Sequence, residues 1–427
     1  MKRLRQKFGT SDHLSFFVLL ISQLIATTGF TFVMPFMPLY VRELGVESHG
    51  DAAAWAGFVN GASGLTMALA APFWGKLADR IGRKAMLLRA TLAGSVVLCL
   101  MGFVTSPWQL LFLRLLQGTL TGTTPAATAL VGSSSPSEKV GTRLGALQMV
   151  VFLAAGIGPG LGGIFADTAG IRNSFFITAS LLLVSGMMVL FGVTEDRSSL
   201  KSSQDKVSEP EEGESQGGGT GEISYRKLLP GMLALFVAQA TISSVAVILP
   251  GFLSALPGRV DHIASLTGWI AGTAALVASL GSVLTGRLAG RLSPWLVIGA
   301  SLALAGLMAL PQAWAGNVLE IWALRLATSL FLGGIIPTAN LTVRNAAPPE
   351  KRGAAFGAAS SAVALGFSAG PVGGGLIAAG LGFRAAFLIP GVLLLGLAVV
   401  LMAVRVARGG LPNTRRLRPH SGHRLLG

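Results

Sequence analysis

What most constrains this chain is the recurrence, along nearly its whole length, of apolar runs about 20 residues long, the length a helix needs to cross a hydrocarbon core about 30 Å thick. Inside lipid each run must satisfy its own backbone polar groups, and that leaves the α-helix as the conformation open to it. Twelve runs are read, at 14–40, 52–75, 85–104, 108–131, 143–167, 172–194, 229–254, 265–286, 294–312, 318–343, 354–380 and 384–404. The expected fold class is an all-α membrane protein with twelve transmembrane helices. The first run is too long for a signal-peptide core and no small-residue cleavage site follows it, so it is expected to remain in the mature chain.

A formal net charge of +15 invites a nucleic-acid reading, and the placement of the charges answers it. With the N-terminus on the cytoplasmic side, 27 of the 33 Lys and Arg fall in the N-terminal segment, in or within a turn or so of the even-numbered connections, and in the tail. The opposite connections carry only Arg42, Arg172, Arg259 and Arg384, while Arg114 and Arg325 fall inside spans. This is the positive-inside pattern. It orients a multi-pass protein with both termini cytoplasmic and gives no reason to expect nucleic acid as a partner. The lone cysteine, Cys99, excludes an internal disulfide and is expected as a buried, inert thiol.

The chain divides into two halves. A cytoplasmic N-terminus (1–13) leads into a six-helix bundle (14–194); a polar, Gly/Ser/Glu-rich linker (195–228) precedes a second bundle (229–404), and a basic tail (405–427) follows. The linker has no apolar periodicity with which to bury surface and reads as flexible. The bundles repeat one another. At an offset of 211, Gly57 and Gly61 recur as Gly268 and Gly272, "GKLADR" at 75–80 as "GRLAGR" at 286–291, and "LRL" at 113–115 again at 324–326. At 212, Gly141 and Gly145 match Gly353 and Gly357, and "GPGLGG" at 158–163 matches "GPVGGG" at 370–375. Two pseudo-symmetric six-helix halves related by a parallel repeat describe a secondary transporter, its site between the halves near the midplane.

Three motifs make a resemblance specific: "GKLADRIGRK" (75–84) after the second span, Arg114 in the fourth span followed by glycines, and a Gly-Pro-rich fifth span, "GIGPGLGG" (156–163). On these the chain resembles the major facilitator superfamily, and within it the twelve-span drug:proton antiporters of bacteria. One position departs from the usual fifth-span pattern: Ala154 stands where a glycine is common. The resemblance implies the major facilitator fold, the bacterial cytoplasmic (inner) membrane, a monomer, no cofactor beyond the proton gradient, and export as the direction of transport.

The loop raises its own question, since a topogenic turn gains nothing from an acid. Gly75 and Gly82 let two helix ends approach around a short turn, and Asp79 is then held where a helix N-terminus offers partial positive charge. The resemblance makes that helix the eleventh span, so that Asp79 latches the halves on the cytoplasmic side while Arg80 and Arg83 relay charge to Glu138; the repeat has Gly290 in place of the Asp. Arg114 shares a helical face with Gly118, Thr121, Gly122 and Pro125, and an intramembrane charge faces a bundle interior or cavity unless it snorkels to the nearer surface. The resemblance gives Arg114 a part in proton coupling. In the fifth span, Gly145, Gly158, Pro159, Gly162 and Gly163 form a surface of close helix packing, and the resemblance reads it as the antiporter hinge.

The polar residues expected to face substrate are Gln23, Thr27, Thr31 and Met34 on the first span, Gln148 on the fifth, and Gln239 and Ser243 on the seventh, with Asn60 and Asn340 also inside spans. Each is equally suited to bonding a neighbouring helix. All eighteen acids lie in loops or at helix ends. With no mid-span carboxylate to exchange a cation for a proton, neutral or anionic amphiphiles are favoured as substrates over cations. Three function classes are compared. Proton-driven export of drugs or toxic metabolites stands first. A narrow sugar or amino-acid exporter, or an uncoupled facilitator, is the alternative on the same fold. A membrane enzyme or sensor is disfavoured because the sequence has no metal-spaced His/Cys cluster, nucleophile elbow or phosphate-binding loop.

Overall fold

The computed structural model describes residues 2–135, 138–194, 225–257, 260–289, 291–348 and 352–407, and every described element is a helix or a turn. The first half comprises α1 (Lys2–Val33), a 3-10 turn (Met34–Phe36), α2 (Met37–Glu43), α3 (His49–Ile81), α4 (Arg83–Met101), α5 (Pro107–Leu120), α6 (Thr123–Ser134), α7 (Val140–Ala169) and α8 (Ile171–Gly192). The second comprises α9 (Tyr225–Ser254), α10 (Ile263–Ala289), α11 (Pro294–Ala309), a 3-10 turn (Leu310–Trp314), α12 (Val318–Gly333), α13 (Ile335–Ala346) and α14 (Arg352–Ala407). Residues 195–224 of the expected linker and 408–427 of the tail lie outside the described residues.

Nine helical stretches among the described residues are long and apolar enough to cross a membrane; one, 51 residues long, is two helices joined at Gly382 (φ 84°, ψ 167°). Such a φ belongs to the left-handed region that glycine enters without a Cβ penalty. The expected second and fourth spans correspond to α3 and to the pair α5–α6. The chain is therefore an all-helical, multi-pass membrane protein.

Several spans expected as single helices are interrupted, two of them at prolines and two at a glycine or a Thr-Gly pair. The first passes through the 3-10 turn at Pro35, and the ninth ends in another at Pro311; proline has no N–H to donate. The fourth breaks at Thr121 (extended, φ −98°) and Gly122 (φ 124°). The tenth breaks at Gly334.

Hydrogen bonds from small side chains knit neighbouring helices: Tyr40 Oη donates to the Met101 carbonyl (2.7 Å), Ser95 Oγ to that of Ala179 (2.7 Å) and Ser185 Oγ to that of Ser22 (2.8 Å). Cys99 is half-buried rather than fully buried, at the edge of the largest apolar cluster.

The buried core records how the halves sit. The largest cluster mixes residues of both, among them Phe36, Tyr40 and Phe175 with Ile248, Leu253 and Phe387. The other two clusters belong to one half each: Leu87, Leu130 and Leu147 in the first, Leu235, Leu302 and Leu394 in the second. The halves share a core at one end of the bundle and keep separate cores at the other.

Candidate functional site

Glycines build the two seams along which the halves meet. On α3 and α14, a Cβ at Gly57 would meet the Pro371 carbonyl, one at Gly61 would meet Val372 and Ser368, and one at Gly375 would meet the Ala53 carbonyl. On α7 and α10, Gly272 lies against the Gly156 carbonyl, Gly268 against that of Pro159, and Gly163 against that of Ala264. Backbones approach this closely only where at least one side carries no side chain at the contact. Toward the basic loops the contacts stop: among the described residues, nothing lies within 4 Å of where a Cβ would stand at Gly75, Gly141, Gly145, Gly286 or Gly357. The molecule is closed at one end and open at the end bearing most of its Lys and Arg.

At the closed end one carboxylate crosses between the halves. Asp167, in the last turn of α7, accepts from the Ser265 amide (2.7 Å), the Ala264 amide (3.3 Å) and the Ser265 hydroxyl, all in the first turn of α10. These are orphan donors of a helix N-terminus, a position that favours an anion. The residue before α10, His262, stands at φ 57°. The matching seam is built otherwise: α3 is capped by its own Ser48, whose Oγ accepts from the Asp51 amide (3.4 Å), and the repeat position of Asp167 is Ala379.

Between the seams and the open end lie two adjoining cavities that share Met34 and Phe367 as walls. One, of 300 Å³, is bounded by Thr27, Ser63, Met67, Arg114, Gln117 and residues 121–125. The other, of 230 Å³, is bounded by Asn60, Gln239, Ser243, Thr267, Arg325 and Ser329. Each half thus contributes one intramembrane arginine at repeat-related positions. Arg114 is 3% exposed and Arg325 6%, so neither snorkels to the surface. Arg114 makes one weak contact, Nη2 to Met37 Sδ at 3.5 Å, and its Nε has no partner. No Asp or Glu lines either cavity among the described residues. Burying an uncompensated charge is expensive, and here two face one space.

The residues named from the sequence are distributed unevenly about this space. Thr27 and Met34 line the first cavity, and Met34, Gln239 and Ser243 the second; the Ser243 hydroxyl also bonds the Gly366 carbonyl across to α14 (3.2 Å). Gln23 is fully buried with neither amide atom partnered. Thr31 turns toward α7, its hydroxyl 3.4 Å from the Ala154 carbonyl. Gln148 is exposed on α7. The single helical face expected for Arg114, Gly118, Thr121, Gly122 and Pro125 is broken by the bend at Thr121–Gly122. Arg114, Thr121, Gly122 and Pro125 still line one cavity, whereas Gly118 packs against the Ser63 carbonyl.

In the fifth span α7 continues as a helix through Pro159. Gly158 and Gly162 serve the first half's own packing on α1, against Thr31 and the Phe32 carbonyl, while Gly163 faces α10 across the seam; Gly145 lies beyond it at the open end.

In the loop at 75–84, Gly82 (φ 102°) ends α3 and starts α4 in a single residue, a conformation that only glycine adopts freely. Arg83 reaches the Ala129 carbonyl (3.4 Å), Arg80 is exposed, and Glu138 is exposed in the turn before α7. The side chain of Asp79 lies outside the described residues.

Sequence reasoning passed over Gln117, Thr267 and Ser329 as cavity walls. Gln117 and Ser329 had a legible signal, since they stand three and four residues beyond the intramembrane arginines and so share their helical face. Thr267 had none.

A family model described as "Major Facilitator Superfamily" matches residues 19–258 and 231–424. Among curated relatives, the multidrug resistance protein MdtG of Proteus mirabilis is 36% identical over 363 residues, 84% of this chain and 88% of that protein. The MdtG of a Rahnella species is 34% identical over 383 residues, 89% of this chain and 90% of that protein. Among solved structures, a bacterial homologue of the human lysosomal transporter Spinster, in an inward-facing and occupied conformation, superposes with a TM-score of 0.72 at 16% identity, over 92% of this chain and 96% of that one. The human organic anion transporter MFSD10 superposes with a TM-score of 0.61 at 16% identity, over 91% and 99%. Two glycine-seamed halves around a shared cavity and a family match over both of them lead to one conclusion: the chain belongs to the Major Facilitator Superfamily of membrane transporters.

Proposed function

We propose that this protein exports small amphiphilic compounds, drugs or toxic metabolites, across the bacterial inner membrane by alternating access, driven by protons moving inward. The observation that carries the reading is the central pair of cavities, enclosed by glycine seams at one end and open at the basic end of the bundle. The multidrug resistance relatives support export as the direction. In this reading the basic end is cytoplasmic, both termini lie there, the twelve apolar runs are twelve crossings, and the chain works as a monomer without a cofactor. Asp79, with Arg80, Arg83 and Glu138, holds the cytoplasmic end when it closes. Gly145, Gly158, Pro159, Gly162 and Gly163 are the surface on which the halves rock.

Coupling falls to Arg114 because no carboxylate among the described residues lines the cavities to carry the proton. The same observation favours a second reading, an uncoupled facilitator of the same fold. One experiment separates them. The purified protein is reconstituted in liposomes enclosing a pH dye, and candidate substrates are added class by class. Proton flux that depends on substrate and disappears in Arg114→Ala supports antiport. Equilibration of labelled substrate with no proton movement supports the facilitator. Failure of every class to cross would overturn both.

A further inference from the structure

We infer that the break between α5 and α6 is an oxyanion-binding subsite, which seats the acidic head of a carboxylate-, phosphonate- or sulfonate-bearing amphiphile in the first-half cavity. The inference deepens the transport reading by naming a substrate class, and rests on that reading only for what becomes of the bound molecule.

Four observations converge on one wall of the 300 Å³ cavity. The first is Arg114, almost completely buried, with Nε unpartnered and a methionine sulfur as its one hydrogen-bond contact among the described residues. A guanidinium in that condition lacks an anion to complete its five donors. The second is Gln117, one turn further along α5, 4% exposed, with its side-chain oxygen unpartnered. Turned over, the same amide presents N–H donors to an anion, and as it stands it accepts from a hydroxyl beside one.

The third is the N-terminus of α6, twelve residues long. Its cap position is Gly122, which has no side chain to supply, and residues 121–125 form part of the cavity wall. The Thr123 and Thr124 amides open the helix, Pro125 has no N–H, and the Ala126 amide is already bonded to the Gly122 carbonyl (3.2 Å). Two orphan donors and the positive end of a helix dipole therefore lie beside a cationic side chain. The fourth is the remainder of the wall, where Phe30, Met34, Met67 and Phe367 offer an apolar berth for the body of the molecule.

The second half shows why the subsite belongs to Arg114 and not to both arginines. Arg325 is its repeat mate and equally buried, but α13 begins at Ile335, outside the wall of the 230 Å³ cavity. That cavity has a guanidinium without a helix terminus. A charged acceptor between charged and dipolar donors forms hydrogen bonds roughly twice as strong as neutral ones. An ester of the same shape, which cannot offer a full negative charge, loses that gain and leaves Arg114 unpaired.

The test uses the full-length protein in lipid nanodiscs and one fluorescent body with three heads: 11-(dansylamino)undecanoic acid, its methyl ester, and the matching primary ammonium. The expected result is that the acid binds about tenfold or more tighter than the ester, and that the ammonium binds weakest. Arg114→Gln brings acid and ester within about twofold while the ester's own affinity is kept. Thr123→Pro removes one amide at the first helical position, where proline is tolerated, and weakens the acid alone. It also serves should the arginine variant fail to fold. Equal binding of acid and ester by the wild type would overturn the subsite, as would acid preference surviving both Arg114→Gln and Thr123→Pro. An acid that binds with this selectivity yet never crosses a proteoliposome membrane would instead overturn the transport reading and leave the subsite standing.

Discussion

A single hydrogen atom in place of a methyl group decides much of how the two halves meet. Gly163, Gly268 and Gly375 each present a bare Cα to a carbonyl of the opposite half. A Cβ at any of them has to displace backbone, which cannot rotate aside as a side chain does. Overpacking of this kind typically costs about 1–3 kcal/mol. Gly268→Ala is therefore expected to lower the melting temperature of the purified protein by several degrees and to slow transport, because the closed end no longer seats. Gly396→Ala is the matched control: nothing lies within 4 Å of a Cβ there, and a glycine-to-alanine exchange inside a helix is stabilising by about 0.5–1 kcal/mol. If both variants melted alike, the seams would not depend on close backbone approach. The intramembrane arginines act at the same scale. Each is a charge buried in a cavity wall that holds no counter-charge among the described residues, and such a charge persists where function requires it.

Helix ends carry the next layer of consequence. The α5–α6 break turns a stretch expected as one span into a half-helix pointing its N-terminus into a cavity, the arrangement that transporters use to hold charged ligands. Positive φ at Gly122 makes the turn possible and leaves the amides beyond it uncapped. At the closed end the corresponding amides of α10 are not left open, because Asp167 reaches across from α7. Loss of an N-cap costs about 0.5–2 kcal/mol. Asp167→Ala is expected to speed hydrogen exchange at Ala264 and Ser265 by about tenfold, about 1.4 kcal/mol in free energy, and to leave the first turn of α3 unchanged, since Ser48 caps it from within its own chain segment. Equal acceleration at both helices would mean general loosening rather than loss of a clasp.

Two half-molecules that share one core at one end and keep separate cores at the other are built to rock. Closing the open end has to bring the Leu147 and Leu302 sides together while the mixed cluster around Tyr40 and Phe387 parts. Spin labels can follow both movements in a Cys99→Ala background. Gly141→Cys and Gly286→Cys report on the open end, where their Cβ positions are unobstructed, and Glu47→Cys with Leu381→Cys, both exposed, report on the closed end. Substrate with an inward proton gradient is expected to shorten the first distance and lengthen the second. Asp79→Asn is expected to depopulate the state closed at the basic end and to reduce transport while leaving membrane insertion intact. Distances that stayed fixed under every substrate and gradient would sink alternating access for this protein.

The sequence by itself determined the class and the repeat, because each follows from local chemistry. Apolar length dictates a helix in lipid, and a shared offset of 211 to 212 residues is visible without any coordinates. It also singled out Arg114 and the glycines of the fifth span, since a charge among apolar residues and a Gly-Pro cluster are conspicuous in one dimension. It did not reveal that Gly158 and Gly162 face α1 while Gly163 faces α10, that Gln23 is sealed away while Gln117 walls a cavity, or that Asp167, one acid among eighteen at loops and helix ends, spans the two halves. Those outcomes depend on how helices far apart in the chain rotate against one another. A helical residue's face is set by periodicity, but what that face meets is set only when the partner helix is in place, and only the tertiary structure decided it.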